Sequence, residues 1–332
     1  MENNLRTDEY KRDAALESII KILNQQLEDD ERELVQNFTE PKFPILYIVG
    51  NARSGSTIMY QWLASSGLFT YPSNIMSRFY KAPYIGALIH RMFVDLDLHG
   101  EIMGGSKITF ESKLGKTKGP VSPHEFWYFW RRFFDFGEIQ KLSDNDLQQV
   151  DKEMFKRELA ALEGIFNKPL LLKGMMLNWN LNYLNEIMPA SLFLHIRRNE
   201  IFNMYSLYKA RIKFFGNTAE WYSFKPPEYH TLVKCDIYTQ LAGQIVCTNN
   251  AVQEQLKLMP HEQKLQIEFE SFCSKPADVF ALVMEKYKAQ GFTWEKKYDG
   301  PESFTCTKNI DDKDFNIQKA EIALKKIKDE YK

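Results

Sequence analysis

The apolar run Ile45–Val49 ends in Gly50-Asn-Ala-Arg-Ser-Gly55-Ser-Thr57 and opens into an apolar-periodic stretch that runs to residue 66. A buried strand, a glycine turn and a helix in that order commit the chain to a crossover connection and hence to a parallel sheet. Both glycines let the backbone wrap around a small anion, and a helix entered this way offers unpaired backbone N–H groups and the positive end of its dipole. The spacing is that of a phosphate-binding P-loop, but Ser56 stands where the lysine is expected, and the loop's cation is Arg53.

Three more short runs read as strands: 169–174, 191–198 and, alternating only in part, 264–270. Helical patterns fill 57–66, 143–166, 178–188, 200–214, 237–258 and 277–289. Strands alternating with helices predict an α/β fold, a P-loop-like three-layer sandwich with a central parallel sheet. Residues 8–36 carry Leu16, Ile19, Ile20, Leu23 and Leu27 at helical spacing, so residues 1–40 read as a helical N-terminal extension and 41–332 as the main domain. That helix is expected to pack on its own domain; the alternative is a dimerisation helix in a homodimer. Residues 293–309 read as a closing loop ahead of a charged terminal helix.

With 43 basic and 44 acidic side chains, the net charge of −1 gives no reason to expect nucleic-acid binding. No apolar run approaches the ~20 residues of a membrane-spanning helix. The charged start, MENNLRTDEYKRD, lacks a signal-peptide core, so a cytoplasmic location is expected. Cys235, Cys247, Cys273 and Cys306 have no metal-ligand spacing and read as reduced thiols, and no metal is expected.

The missing lysine narrows the chemistry. A nucleoside triphosphatase needs that ammonium and a Mg²⁺ ion on its β- and γ-phosphates. Here the lysine is absent, and no apolar strand ending in aspartate supplies the metal site. A guanidinium inside the loop suits a single phosphate held close to the backbone.

Arg53-Ser-Gly-Ser-Thr57, after a strand and before a helix, resembles the 5′-phosphosulfate loop of sulfotransferases that use 3′-phosphoadenosine 5′-phosphosulfate (PAPS). The resemblance implies that Arg53, Ser54, Gly55, Ser56 and Thr57 bind the donor's 5′ end. It also implies a 3′-phosphate clamp of strand-end arginine and helix serine, matched by Arg198 and, eight residues on, Ser206. Arg197 lies one position earlier, so the register is open by one. Lys173, ending the 169–174 run, would stand near the transferred group, with Asn178 close by. The segment LQIEFESFCSKPADVFALV resembles a later family element, with Phe269, Glu270 and Ser271 at its head and Glu270 structural. The resemblance covers most of residues 44–290.

The general base is less legible. The family's histidine position holds Met175, and the window 71–81, where other branches carry a glutamate, has no acid. The candidates lie in Glu111–Phe134, where Lys113, Lys116 and Lys118 read as a mobile basic loop and Ser122-Pro-His-Glu125 as the opening of an aromatic helix. Glu125 is the first choice as base, His124 the second and Glu111 the third. Trp127, Tyr128 and Trp130 would form a sugar-binding wall, and Arg131 and Arg132 either touch substrate or face solvent and salt bridges. Trp221, Lys225 and Pro226-Pro227 are weaker candidates for a lid. The position of the family's adenine-stacking tryptophan is Ile58. The expected reaction is sulfuryl transfer from PAPS to a hydroxyl of a carbohydrate-like acceptor. The alternatives are an ATP- and Mg²⁺-dependent kinase and a non-catalytic nucleotide-binding protein.

Overall fold

A computed structural model describes residues 3–306, 309, 310, 313 and 315–331. Its strands are β1 Ile45–Gly50, β2 Ser112–Lys113, β3 Lys116–Thr117, β4 Leu171–Lys173, β5 Ser191–Arg197 and β6 Lys264–Glu268. Four of them form one parallel sheet in the order β4-β1-β5-β6, and β2 pairs with β3 as a separate antiparallel hairpin. In register, Ile48 lies opposite Lys173 and Gly50 opposite Ile196, so the strands' carboxyl ends share one edge. Because the chain steps from β1 outward to β4 and then back to β5 on the other side, a crevice opens at that edge, where open α/β sheets bind ligands.

Alternation along the strands makes the layers. Tyr47, Val49, Leu172 and Phe193 face a cluster that includes helices Trp127–Phe133, Lys152–Phe166 and Leu181–Ile187. Leu46, Ile48, Leu171, Leu194 and Ile196 face the opposite cluster, built on α2 (Ser56–Ser65) and helix Pro276–Ala289. Both faces are therefore buried, which is why three of the strands read as continuous apolar runs. β6 is an edge strand, and only its Leu265 and Ile267 are buried. A third cluster joins helices Glu200–Phe215, Ile237–Lys257 and Ile317–Glu330.

Several expected boundaries move for identifiable reasons. The helix expected over 143–166 is two, Asp144–Gln148 and Lys152–Phe166, because the Asp151 side chain accepts the Met154 N–H and caps a new start. The helix expected over 178–188 begins only at Leu181, after a short turn Met175–Leu177. The N-terminal helix, α1, spans Ala14–Leu34 and starts at the Asp13 cap rather than at residue 8. It lies against the body of its own chain through Ile20, Asn24 and Glu31, while Leu16, Ile19 and Leu23 of the expected apolar stripe remain exposed. Polar groups take over that seam: Asn24 donates to Arg78 O (2.7 Å), and the Glu31 carboxylate accepts the N–H groups of Tyr84 and Ile85. Of the expected 293–309 loop, residues 307 and 308 lie outside the described residues.

Candidate functional site

The loop between β1 and α2 is held from outside by side chains that take its carbonyls. Asn178 Nδ2 donates to Gly50 O (2.8 Å) while its Oδ1 accepts the Gly50 N–H (3.0 Å). Ser54 Oγ donates to Asn51 O (2.7 Å), Asn203 Nδ2 to Ala52 O (2.9 Å), and Arg198 Nη1 to Arg53 O (3.3 Å). With these carbonyls tied back, the first N–H groups of α2 and the Arg53 side chain are what the loop presents to the crevice. Ser54 is fully buried and its hydroxyl is spent inside the turn, so it shapes the loop rather than facing the crevice.

Two backbone features are costly and fixed. Arg53 adopts φ +65°, a left-handed conformation that a non-glycine residue keeps only at a cost of about 1–3 kcal/mol. Gly55 adopts φ +92°, and a Cβ there would stand 2.1 Å from Cδ2 of Phe269. Only glycine meets both conditions.

Two groups of side chains flank the loop. On one flank, Arg53 Nε donates to Ser206 Oγ (3.3 Å), and Arg198 stacks over the Phe269 ring at 5.2 Å. Arg197 turns the other way, toward Glu200 and Glu268, so Arg198 is the arginine that lies against the loop. Neither Arg53 nor Arg198 has an acid within ion-pair distance among the described residues, and Arg198 Nε is buried with no hydrogen-bond partner. Burial, assisted by the Arg53 charge, draws the Arg198 guanidinium below its usual pKa. Glu270 does not pair with it but accepts the Asn199 N–H (3.2 Å).

On the other flank, Lys173 at the end of β4 donates to Thr57 Oγ1 (3.1 Å) and to Glu125 Oε1 (2.5 Å). An ammonium thus reaches the first turn of α2 from β4, on the far side of β1. The indole of Trp127 donates to the second oxygen of Glu125 (2.5 Å). Burial works to raise the Glu125 pKa, but the Lys173 charge and hydrogen bond, with the Trp127 donor, outweigh it and hold the carboxyl below its usual range.

The segment 122–126 departs from expectation. The aromatic helix begins at Trp127, not at Ser122, because Phe126 takes φ +56° and its N–H is bound by Nδ1 of His124 (2.9 Å). The His124 N–H meanwhile bonds Pro72 O (2.8 Å), so this stretch runs beside residues 72–73. Burial pushes the His124 imidazole down to about 4, leaving it neutral at pH 7 with one nitrogen already used. Phe129 and Trp130 are core, and Arg132 pairs with buried Glu158 and with Tyr80 O, so it is a structural cation.

The lysine-rich stretch is ordered rather than a loose basic loop. Its Leu114-Gly115 turn has φ +48° and +91°, the two-residue geometry that closes a tight hairpin. The tip covers the site: a Cβ on Gly115 would lie 3.1 Å from Glu125 Oε1 and 3.7 Å from Thr57 Oγ1. Tyr222 OH donates to Leu114 O (3.1 Å), Lys113 pairs with Glu9 (2.7 Å), Lys118 pairs with Glu111 (3.2 Å), and Lys116 lies over Tyr10. The other lid candidates are occupied elsewhere: Trp221 donates to Phe224 O, and Lys225 pairs with Glu138. Gly115, Tyr222 and Asn203 escaped sequence reasoning. The signal available for the first was the Lys-Leu-Gly-Lys pattern, which marks a two-residue turn between polar strands.

The sequence matches the model of the Sulfotransferase family over residues 44–289. The chain belongs to the sulfotransferase family. Among solved structures, sulfotransferase STF9 from Mycobacterium avium aligns with 80% of this chain and 67% of its own, at 14% identity and a TM-score of 0.49. Sulfotransferase STF1 from Mycobacterium tuberculosis H37Rv aligns with 92% of this chain and 76% of its own, at 12% identity and 0.49. A sulfotransferase domain from the curacin biosynthetic pathway aligns with 80% and 81%, at 14% identity and 0.41. No curated protein matches the sequence. Family membership sides with sulfuryl transfer against the kinase alternative. Among the described residues no helix is long and apolar enough to cross a membrane.

Proposed function

We propose that this sulfotransferase moves a sulfuryl group from PAPS to a hydroxyl of a carbohydrate-like acceptor. The observation that carries the reading is the pair Arg53 and Arg198: Arg53 reaches the Ser206 hydroxyl, Arg198 reaches the Arg53 carbonyl, and among the described residues neither has an acid within ion-pair distance. Like charges held together without counter-charge are costly, and a phosphate with several acceptor oxygens satisfies both. A buried, unpartnered Arg198 Nε fits such a ligand.

PAPS would supply the sulfuryl group and a leaving 5′-phosphate. Arg198 and Ser206 would hold its 3′-phosphate. Arg53, joined to Ser206, would span from that end to the loop. The N–H groups of Gly55, Ser56 and Thr57 would receive the 5′ end, with the Lys173 ammonium neutralising charge on the leaving oxygen. Glu125, ionised and touching Lys173, is the base for the acceptor proton. His124, with Nδ1 spent on a backbone N–H, is a poorer candidate. Trp127, half-buried and bonded to Glu125, gives the acceptor an apolar ring to lie on. Residues 41–332 would be the catalytic domain, with 1–40 as an extension beside it.

Incubating the protein with sulfur-labelled PAPS and a cell extract, then identifying the labelled product, tests this directly. A labelled saccharide, absent with Lys173→Ala, is the expected result. Tight binding of 3′-phosphoadenosine 5′-phosphate (PAP) without label transfer to any acceptor would instead mark a non-catalytic nucleotide-binding protein.

A further inference from the structure

Beside Arg198, helix Phe269–Ser274 meets the segment 303–306. Phe304 donates its backbone N–H to Cys273 O (2.7 Å), and the rings of Phe272 and Phe304 lie 5.1 Å apart. Two residues on, the Cys306 thiol is in hydrogen-bonding contact with that of Cys273. Both cysteines line one cavity of about 540 Å³, and no disulfide joins them. Cys273 is buried and Cys306 half-buried, so a solute reaches Cys306 first. Both thiols lie close enough to Arg198 to act on its charge, and burial with the neighbouring Cys306 pushes the Cys273 thiol up to about 12, so Cys306 is the attacking sulfur and Cys273 the resolving one. The other two cysteines are differently placed: Cys235 donates to Thr231 O (3.7 Å), and Cys247 is buried in helix Ile237–Lys257.

We propose that Cys273 and Cys306 are a redox-modification site, closed by a peroxide into a reversible disulfide on the helix whose Phe269 underlies Arg198. The Cys306 thiolate attacks one peroxide oxygen; an S–O bond forms, the O–O bond breaks, and the departing hydroxide leaves as water after taking a proton. The Cys273 sulfur then attacks the sulfenic sulfur of Cys306; the S–S bond forms, the S–O bond breaks, and a second water leaves with the Cys273 proton. Two electrons pass from the two sulfurs to the peroxide, and a dithiol reductant reverses the change. Closure draws the sulfurs to about 2.05 Å and ties segment 303–306 to the helix that carries Phe269, the ring beneath Arg198. Resting further on the nucleotide reading of Arg198, bound PAP shields the pair, and the oxidised protein binds PAP less tightly.

The test treats the full chain with hydrogen peroxide, alkylates the remaining thiols and maps peptides by mass spectrometry without reduction. The expected product is one intramolecular link, Cys273 to Cys306, lighter by two hydrogens, reopened by dithiothreitol and absent from Cys306→Ser. Sulfinic acid at Cys306 with Cys273 still a thiol, or any other pairing, overturns the proposal; this readout on the unmutated chain does not depend on the variant folding. Repeating the oxidation with PAP at ten times its Kd is expected to slow closure about 10-fold, as only the unliganded fraction reacts. A disulfide that forms at an unchanged rate would overturn the coupling and count against the Arg198 clamp, not against the disulfide.

Discussion

Single residues set the chemistry of this site, and their effects separate by flank. Lys173 touches both Thr57 and Glu125, so Lys173→Ala should lower turnover by ~10²–10³ while leaving PAP affinity much less changed. Arg53→Ala should cost at least as much in turnover and also weaken PAP, because its guanidinium meets Ser206 on the phosphate-clamp side. A steady-state comparison of the two variants with calorimetry checks the split; equal losses in affinity would contradict it. Glu125→Gln should lower turnover by ~10² or more, the usual scale for a general base. Since the Glu125 pKa is depressed, the carboxylate stays ionised as pH falls, and the acid limb of the wild-type profile should lie below the ordinary carboxylate value of ~4.3. A limb at or above that value would place the base elsewhere.

Among the elements, the β2–β3 hairpin is the part that covers the proposed base. Its glycine tip stands over Thr57 and Glu125, so with Glu125 as the proposed base an acceptor would have to pass this hairpin. Tyr222 holds the tip by one hydrogen bond, and Tyr222→Phe should raise amide exchange across residues 112–117 without altering exchange in the sheet. Unchanged hairpin exchange would show that Glu9 and Tyr10 hold the lid without it. Helix Lys152–Phe166 contributes differently. Its buried Glu158 shares Arg132 with Glu31 of α1, and burial lifts Glu158 to about 8 and Glu31 to about 7. A folded pKa above the unfolded one means that the native state holds the extra proton, so this pair's contribution falls as pH rises from about 4.5 to 8. Thermal melts over that range should show a flatter pH dependence in Glu158→Gln than in the wild type; parallel curves would refute the assignment.

Across the whole molecule, local pattern revealed what local physics decides. The β1 loop, the apolar strands and the Arg198–Ser206 spacing were legible because buried parallel strands and glycine turns impose short-range sequence rules. What could not be read was set by contacts distant in sequence. Lys173 and Asn178 were expected near the loop, but their partners Thr57, Glu125 and Gly50, and the hold of Asn203 on Ala52, depend on sheet order. The Ser122–Phe126 stretch looked helical because Pro123 suits a first turn, yet the backbone pairing of His124 with Pro72 overrides that preference. The N-terminal helix misled for a similar reason: carboxylate and amide groups, rather than its leucines, dock it. Arg198 and the β1 loop together form the proposed two-ended anion clamp, and calorimetric titration of PAP against adenosine 5′-phosphate separates its two ends. Wild-type protein is expected to prefer PAP by at least ~10-fold and Arg198→Ala to lose most of the preference, since a hydrogen bond to a charged group contributes about 1.5–3 kcal/mol. Equal affinity of the wild type for the two nucleotides, or an undiminished preference in the variant, would contradict the clamp.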